Sequence, residues 1–404
     1  MKRILIFSLN YYPRFIGGAE VAIKEITDRL PEIEFHMVTL RFDSNLPRIE
    51  KIGNVLVHRI GPAIKNPSIA DLKKFPLHLS KHLYQILAAH TAGELYWTYK
   101  YDAVWAMMAH STGIPAGIFK IFYPKVPYLL TLQEGDPPEH IERLARPVWP
   151  LFKRGFTKAD YLQPISNFLM EWGTRMGFKG VAEVIPNGVD VARFSFSYPE
   201  EDIRIKREEL GKKEGDIFLV TTSRLYRKNA VDSVIRSLPM LPGNISFLIY
   251  GIGPEEEKLR ALAKELGVET RARFMGEAKH TDIPLILKAC DIFIRPSRSE
   301  GMGNSFIEAM AAGMPVIATQ EGGISDFLFD AKRNPDKETT GWAVSVDTPS
   351  DIAEAVMHII QNPEEVKKVL QNASRMVQER YNWEHIAEGM RGLFDRMTNT
   401  DSKL

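Results

Sequence analysis

Glu300 and Glu308, with seven residues between them, stand in the run PSRSEGMGNSFIEAMAAGMPVIAT. An apolar segment, Asp291 to Ile294, reads as a buried strand that stops at Pro296. A small-residue loop follows, with Gly301 and Gly303 bracketing Met302. A helix then opens at Asn304 or Ser305 and runs to Gly313, a C-terminal stop with Pro315 just beyond. Such a loop leaves backbone N–H groups pointing outward, and with the helix dipole they suit a phosphate or a ring of hydroxyls. Two readings of the carboxylates compete. Ser305-x-x-Glu308 is also a capping box, in which the glutamate reaches back to the N-cap amide and only stabilises the helix. That reading gives no reason for Glu300, nor for two glycines spaced to let something approach the backbone. Two carboxylates beside a phosphate would repel it unless each accepts hydrogen bonds from neutral hydroxyls. The ligand implied carries both phosphate and many hydroxyls, as a nucleotide sugar does.

The elements that must position this loop repeat through the chain. Ile4 to Ser8 leads to Gly17-Gly18 and a helix near Glu20 to Leu30; Ile217 to Ser223 leads to Arg224–Lys228 and a helix from about Ala230 to Leu238. Further apolar strands are expected at Glu34–Thr39, Asp102–Ala106, Pro127–Leu132 and Ala182–Ile185. In the second half they are expected at Ser246–Tyr250, Arg273–Met275, Pro315–Ala318 and Gly341–Val344. Short apolar strands alternating with helices indicate parallel sheets covered on both faces. The halves break after the turn-forming string Pro186-Asn187-Gly188-Val189-Asp190, just before the charged stretch Tyr198 to Gly215. Near the C-terminus Trp383, Ile386, Met390, Leu393 and Phe394 fall at helical spacing.

Composition narrows the class. At 404 residues the chain has room for two or three domains, each with its own core. Hydrophobic residues at 44% and charged residues at 25% are ordinary for a globular protein. A net charge of +1 supplies no basic field for a phosphate backbone, so no nucleic-acid partner is expected. The single cysteine, Cys290, excludes an intrachain disulfide and fits a reducing cytoplasm as a buried thiol. The opening MKRILIFSLNYYPRF is too short in its apolar run for a signal peptide and reads as the first strand. No apolar stretch approaches the roughly 18 residues needed to span a bilayer.

At Pro296-Ser297, Glu300-Gly301-x-Gly303, Glu308 with its following Ala-Met-Ala, Pro315 to Thr319 and Gly322-Gly323, the chain resembles the retaining glycosyltransferases of family 4, group 1. The resemblance covers most of the chain. It implies the GT-B fold: α/β, two facing Rossmann-like doubly wound parallel-sheet domains with an interdomain cleft. Residues 1–187 plus about 385–404 would form the acceptor-side domain, and 188–384 the nucleotide-sugar domain. By the same resemblance Glu300 touches sugar hydroxyls, Glu308 holds the ribose, and Gly301, Met302, Gly303, Asn304 and Ser305 contact sugar and diphosphate. Arg224 and Lys228 resemble the pair that grips the phosphates, where preorganised positive charge is a large catalytic term. The usual pattern has one more residue between them, so Arg227 stays open as a sharer of the second role. Gly17 and Gly18 resemble a glycine pair whose amides approach the donor phosphates.

One departure stands out. Relatives end the strand matching Tyr128–Leu132 with a histidine that touches the sugar and the reaction centre; this chain has Gln133 there. Gln133 can donate and accept hydrogen bonds but cannot shuttle a proton. His110 is the nearest substitute by position, with a structural role open beside the functional one. The residues expected to carry chemistry are thus Glu300, Arg224, Lys228, Gln133 and His110. The pair Glu134 and Asp136 has no partnering ligands at metal spacing, and neither a metal nor another cofactor is expected.

The activity implied is retaining transfer of a hexose-type sugar from a UDP- or GDP-sugar to a hydroxyl acceptor. Surface glycan, glycolipid or a small molecule could be that acceptor. Between Ala63 and Tyr123, Lys65, Lys73, Lys74, Lys81 and His82 interleave with Phe75, Tyr84, Tyr96, Trp97, Tyr99 and Tyr101. Either these form a basic–aromatic face for an anionic membrane at its cytoplasmic side, or the aromatics are core and the lysines solvated. A nucleotide-sugar epimerase of the same fold, and a non-catalytic nucleotide-sugar binder, are the alternatives.

Overall fold

The computed structural model describes residues 1–14, 16–68 and 70–399, with the side chains of Ala70 and Lys73 outside that set. The part expected of Lys73 in a basic face, and the last five residues of the returning C-terminal segment, lie outside the described residues. The chain divides into two units, Met1–Asn187 with Trp383–Leu404, and Gly188–Asn382.

The first unit is built on an eight-stranded sheet. Its strands are β1 (Lys2–Phe7), β2 (Ile33–Asp43), β3 (Ile49–Ile52), β4 (Val55–Ile64), β5 (Ala103–Met107), β6 (Tyr128–Leu132), β7 (Tyr161–Pro164) and β8 (Val181–Ala182). They lie in the order β3-β4-β2-β1-β5-β6-β7-β8, and only the β3–β4 hairpin is antiparallel. The second unit carries β9 (Ile217–Thr222), β10 (Ile245–Tyr250), β11 (Ala272–Gly276), β12 (Ile292–Arg295), β13 (Val316–Ala318) and β14 (Trp342–Ala343). Their order is β11-β10-β9-β12-β13-β14, all parallel.

Helices on both faces explain why the central strands carry no polar alternation. Ile4 to Phe7 and Ile292 to Ile294 are buried throughout. In each sheet the chain starts in the middle and winds both ways. Ile4 pairs with Phe35 on β2 and with Ala103 on β5, and Leu219 pairs with Phe247 on β10 and Ile292 on β12. Strand order therefore reverses between β1 and β5 and between β9 and β12. A doubly wound sheet opens its ligand crevice at such points, beyond the carboxyl ends.

The helix Trp383–Thr398 buries Trp383, Ile386, Met390, Leu393 and Phe394 in the first unit's core. The Phe394 ring meets Phe35 at 5.9 Å and Trp105 at 5.3 Å. Each such side chain contributes roughly 1.5–3 kcal/mol by leaving water. Cys290 is buried, and burial with the nearby Asp291 charge pushes its thiol up to about 12.

Three strands, β3, β4 and β7, had no counterpart in the sequence expectation. The run of β4 is interrupted by His58 and Arg59, which are buried here because each finds a specific setting. Arg59 pairs with Glu50 at 2.5 Å and donates to the carbonyls of Pro47 and Tyr12. The His58 ring lies tilted 5.5 Å from that of His36, itself held between Glu34 and the Tyr101 hydroxyl. In β7 the buried Gln163 accepts from Thr131 at 2.6 Å. Of the two readings of the basic–aromatic segment, Tyr84 and Tyr101 follow the core one. Tyr84 is fully buried and donates to the carbonyls of Ser8 and Val38, and Tyr101 is buried against His36. Phe75 and Trp97 remain exposed.

Burial, with the His36 charge adding, lowers the His58 pKa to about 4, and its Nε2 has no hydrogen-bond partner among the described residues. The unfolded chain takes up a proton near pH 6.5 that the folded chain refuses until about pH 4. Stability should therefore fall as pH drops from 6.5 to 4, by up to roughly 3 kcal/mol from this residue. Urea unfolding of the protein and of His58→Leu at pH 7 and pH 5 checks this; an equal loss in both assigns it elsewhere.

Candidate donor-binding site

Strand β12 ends at Arg295 and the chain turns through Pro296–Gly303 into the helix Asn304–Ala311. The backbone of Glu300 is clasped from behind. Gly323 donates its N–H to the Glu300 carbonyl at 3.0 Å, and a Cβ on Gly322 (φ +61°) would lie 2.1 Å from that oxygen. The Glu300 carboxylate is held through Oε2 by Arg295 Nη2 at 2.8 Å. A second guanidinium nitrogen, Nη1, donates to Ser305 Oγ at 2.9 Å, and the group lies 4.1 Å over the Phe306 ring. Burial drives the Arg295 pKa down, against the Glu300 and Glu308 charges.

The capping-box reading of Ser305 and Glu308 fails. The N-cap is Gly303 at φ +88°, without a side-chain cap. Ser305 accepts from Arg295 instead, and Glu308 Oε1 lies 3.0 Å from His280 Nε2. His280 is fixed by Arg193, which meets its Nδ1 at 3.2 Å and donates to its carbonyl. The helix ends at Ala311, with Gly313 at φ +73° beyond it as expected. Met302 is 2% exposed, so its side chain belongs to the core and only its backbone is left for a ligand.

The cations lie on the neighbouring strand. After β9 the chain passes Arg224, exposed beside the Tyr226 ring, into a 3₁₀ turn over Arg227–Asn229. Asn229 Nδ2 donates to the Arg224 carbonyl at 2.5 Å, and Leu225 N–H to Ile252 in the Tyr250–Pro254 turn at 3.0 Å. Arg298, two residues before Glu300, ties this loop to the glutamate loop. Its N–H donates to the Lys228 carbonyl at 2.7 Å and its Nη1 to the Arg227 carbonyl at 2.5 Å. Nη2 pairs with Asp232 at 2.7 Å and Asp347 at 2.6 Å. Burial opposes the charge on Arg298, but these hydrogen bonds and charges outweigh it and raise its pKa. Arg224, Lys228, Glu300 and Glu308 thus stand on loops and a helix that follow adjacent strands at the switch point.

In the first unit the loop after β1 ends at Gly17, which caps the helix Gly18–Asp28. The Gly17 N–H is engaged by the chain's own Glu20 carboxylate at 2.7 Å, so this amide differs from the outward donor expected of it. His110 lies in the first turn of the helix Ala109–Phe122, after β5, and Gln133 directly follows β6. Glu134 brings them together. Its fully buried carboxylate accepts from the Gln133 N–H at 3.0 Å and the His110 N–H at 3.3 Å, and lies 3.4 Å from His110 Nδ1. His110 Nε2 meets Ser111 Oγ at 2.9 Å. The Gln133 amide pairs both ways with Asn187, at 2.9 and 3.3 Å.

Sequence reasoning missed Arg295, His280, Arg298 and the role of Glu134. Arg295 carried a signal, a lone charge closing an apolar strand, and so did Glu134, an acid directly behind one. Among the described residues no group of three or more His, Cys, Asp or Glu is arranged to hold a metal ion.

Comparison with known proteins agrees with this fold. The family model for glycosyl transferases group 1 matches residues 202–376, and that for Glycosyltransferase Family 4 matches residues 16–193. An uncharacterized glycosyltransferase of Methanocaldococcus jannaschii is 24% identical over 99% of each chain. A GDP-mannose-dependent monoacylated α-(1-6)-phosphatidylinositol monomannoside mannosyltransferase of Corynebacterium glutamicum is 29% identical over 57% of this chain and 61% of its own. Among solved structures, sucrose-phosphate synthase from Thermosynechococcus elongatus superposes with a TM-score of 0.79 at 20% identity, covering 98% of this chain and 99% of its own. Anabaena HepE in complex with UDP-glucose gives 0.76 at 21%, covering 98% and 100%. At such identities the superpositions speak for the fold alone. Two parallel-sheet α/β units of GT-B type, both family models and relatives along the whole chain lead to one conclusion: the protein is a glycosyltransferase of family 4, group 1.

Proposed function

We propose that the protein transfers a hexose-type sugar, with retention of configuration, from a UDP- or GDP-sugar to a hydroxyl acceptor. One observation carries this reading: the cationic loop after β9 and the carboxylates after β12 converge at a switch point, each fixed from behind. Arg224 and Lys228 meet the diphosphate and stabilise its departure. Glu308, beside His280, accepts from the ribose hydroxyls, and Glu300 accepts from the sugar. The acceptor hydroxyl attacks on the face the diphosphate leaves, through a short-lived oxocarbenium-like state. A leaving phosphate oxygen takes its proton. In the first unit, His110 and Gln133, joined by Glu134, are assigned to sugar and acceptor. The UDP-glucose complex of HepE and the GDP-mannose dependence of the corynebacterial relative support either donor base.

The helix Leu77–Tyr99 supports a lipid-linked or membrane-surface acceptor. Opposite its buried residues Tyr84 and Ala88 it exposes Leu79, Leu83, Ile86, Leu87 and Trp97. Lys65, Lys81, His82 and Lys100 are exposed, Lys100 4.6 Å over the Trp97 ring, and Glu94 is the helix's only acid. Apolar and aromatic side chains among cations suit an anionic bilayer surface.

A thermal-shift panel of UDP, GDP, ADP and their sugar conjugates tests the donor, with one nucleotide sugar expected to give a large shift. Glu308→Ala should weaken nucleotide binding, and Arg224→Ala or Lys228→Ala should lower turnover by ~10²-fold or more. Wild-type kinetics in all three would overturn the site. Turnover of donor without acceptor would point to an epimerase. EDTA should leave activity largely intact; complete loss rescued by a divalent metal contradicts the assignment of diphosphate stabilisation to Arg224 and Lys228. In liposome flotation the protein should prefer vesicles with anionic lipid; no preference, with full activity on a soluble acceptor, removes the membrane role.

A further inference from the structure

Arg295 is an unusual residue to close a strand whose other members, Ile292, Phe293 and Ile294, are all core. Its side chain is 7% exposed. A buried charge costs several kcal/mol unless it is paired and hydrogen bonded. Three contacts supply the compensation: Glu300 Oε2 at 2.8 Å, Ser305 Oγ at 2.9 Å and the Phe306 ring at 4.1 Å. The Nε finds no partner among the described residues, so the Glu300 ion pair is the principal compensation. Gly303 belongs to the same construction, because a Cβ there would lie 2.6 Å from Arg295 Nη2.

The geometry has a chemical result for Glu300. With Oε2 fixed by the guanidinium, Oε1 is left, among the described residues, with only the adjacent Gly301 N–H, at 3.2 Å. The carboxylate cannot turn its two oxygens freely toward a ligand. Phe306 and Ser305 hold the guanidinium plane, which a flexible ammonium would not present in the same way.

We propose that Arg295 is a positioning residue that sets which sugar hydroxyls Glu300 accepts, and so governs recognition of the donor's sugar separately from its nucleotide. This rests on the reading that Glu300 meets the sugar. The guanidinium fixes one oxygen and leaves the other as the acceptor. Sugars with a hydroxyl at the matching position are selected, and epimers lacking it there are disfavoured.

The test compares binding of UDP with UDP-glucose and UDP-galactose, and of GDP with GDP-mannose, to wild type, Arg295→Met, Arg295→Lys and Glu300→Gln. Methionine fills similar space without a buried charge, and lysine keeps the charge if methionine impairs folding. Arg295→Met should hold nucleoside diphosphate affinity within about threefold while reducing the increment due to the sugar by about tenfold or more, the scale of a charge-assisted hydrogen bond. Discrimination between the sugar epimers should narrow, and Arg295→Lys should restore part of it. Glu300→Gln should produce the same loss, with no further loss in the double variant, as expected of residues that act as a unit. An equal fall for nucleotide and nucleotide sugar in both Arg295 variants would make Arg295 a structural brace and overturn the proposal. Unchanged sugar increments in both variants would also overturn it. Failure of wild type to bind any of the five ligands is a different outcome, which removes the donor-site reading itself and the proposal with it.

Discussion

Two carboxylates set close to a cationic loop and largely withdrawn from water must each be stabilised from the protein side. That constraint shapes the loop after β12. Arg295 meets Glu300 from inside the core, and His280 meets Glu308 from the loop after β11. Around these two contacts the remaining features find reasons. Gly303 leaves room for the guanidinium, Ser305 accepts from it, and Gly322 lets a second loop close on the Glu300 backbone. Arg298 then carries the order across to the next strand by binding the carbonyls of Arg227 and Lys228. Positive and negative groups thus become one preorganised surface, which is how a site stabilises developing charge without reorganising.

The first unit solves a related problem with the opposite charge buried. Glu134 lies under the ends of β5 and β6 and gathers the amides of His110 and Gln133. A glutamine at the end of β6 has no ionisable proton to offer, but it is held by both Glu134 and Asn187. Its value is therefore directional. The sheet order brings these residues and Gly17 to the carboxyl ends of strands flanking a reversal, as it does in the second unit.

Much of this was legible in the sequence because it depends on local pattern. Apolar runs such as Ile4–Phe7 and Ile292–Ile294 announce strands buried on both faces, and Gly301-x-Gly303 followed by Gly313 marks where a loop becomes a helix and where the helix stops. The alternation of such runs with helices was enough for the α/β class. What escaped depends on partners distant in the chain. Nothing local tells that Arg59 will meet Glu50 and two carbonyls, and β4 was not among the expected strands. The spacing of Ser305 and Glu308 imitates a capping box, yet both side chains turn to other partners once Arg295 and His280 are in place. Whether Tyr84 and Tyr101 were surface or core stayed open in the sequence because their buried partners, the carbonyls of Ser8 and Val38 and the ring of His36, belong to other elements.

The helix Trp383–Thr398 bears on how the chain reaches this structure during synthesis. Its Trp383, Met390 and Phe394 complete a core whose other members, Ile4, Phe35 and Trp105, leave the ribosome some 280 to 390 residues earlier. The contiguous unit Gly188–Asn382 can close as soon as it has emerged, following the tendency of domains to fold as units. The first unit must wait with an unfilled apolar surface until the last segment arrives. The half of the protein made first is therefore finished after the second unit has emerged, and until then its unfilled core lies open to chaperones and to aggregation.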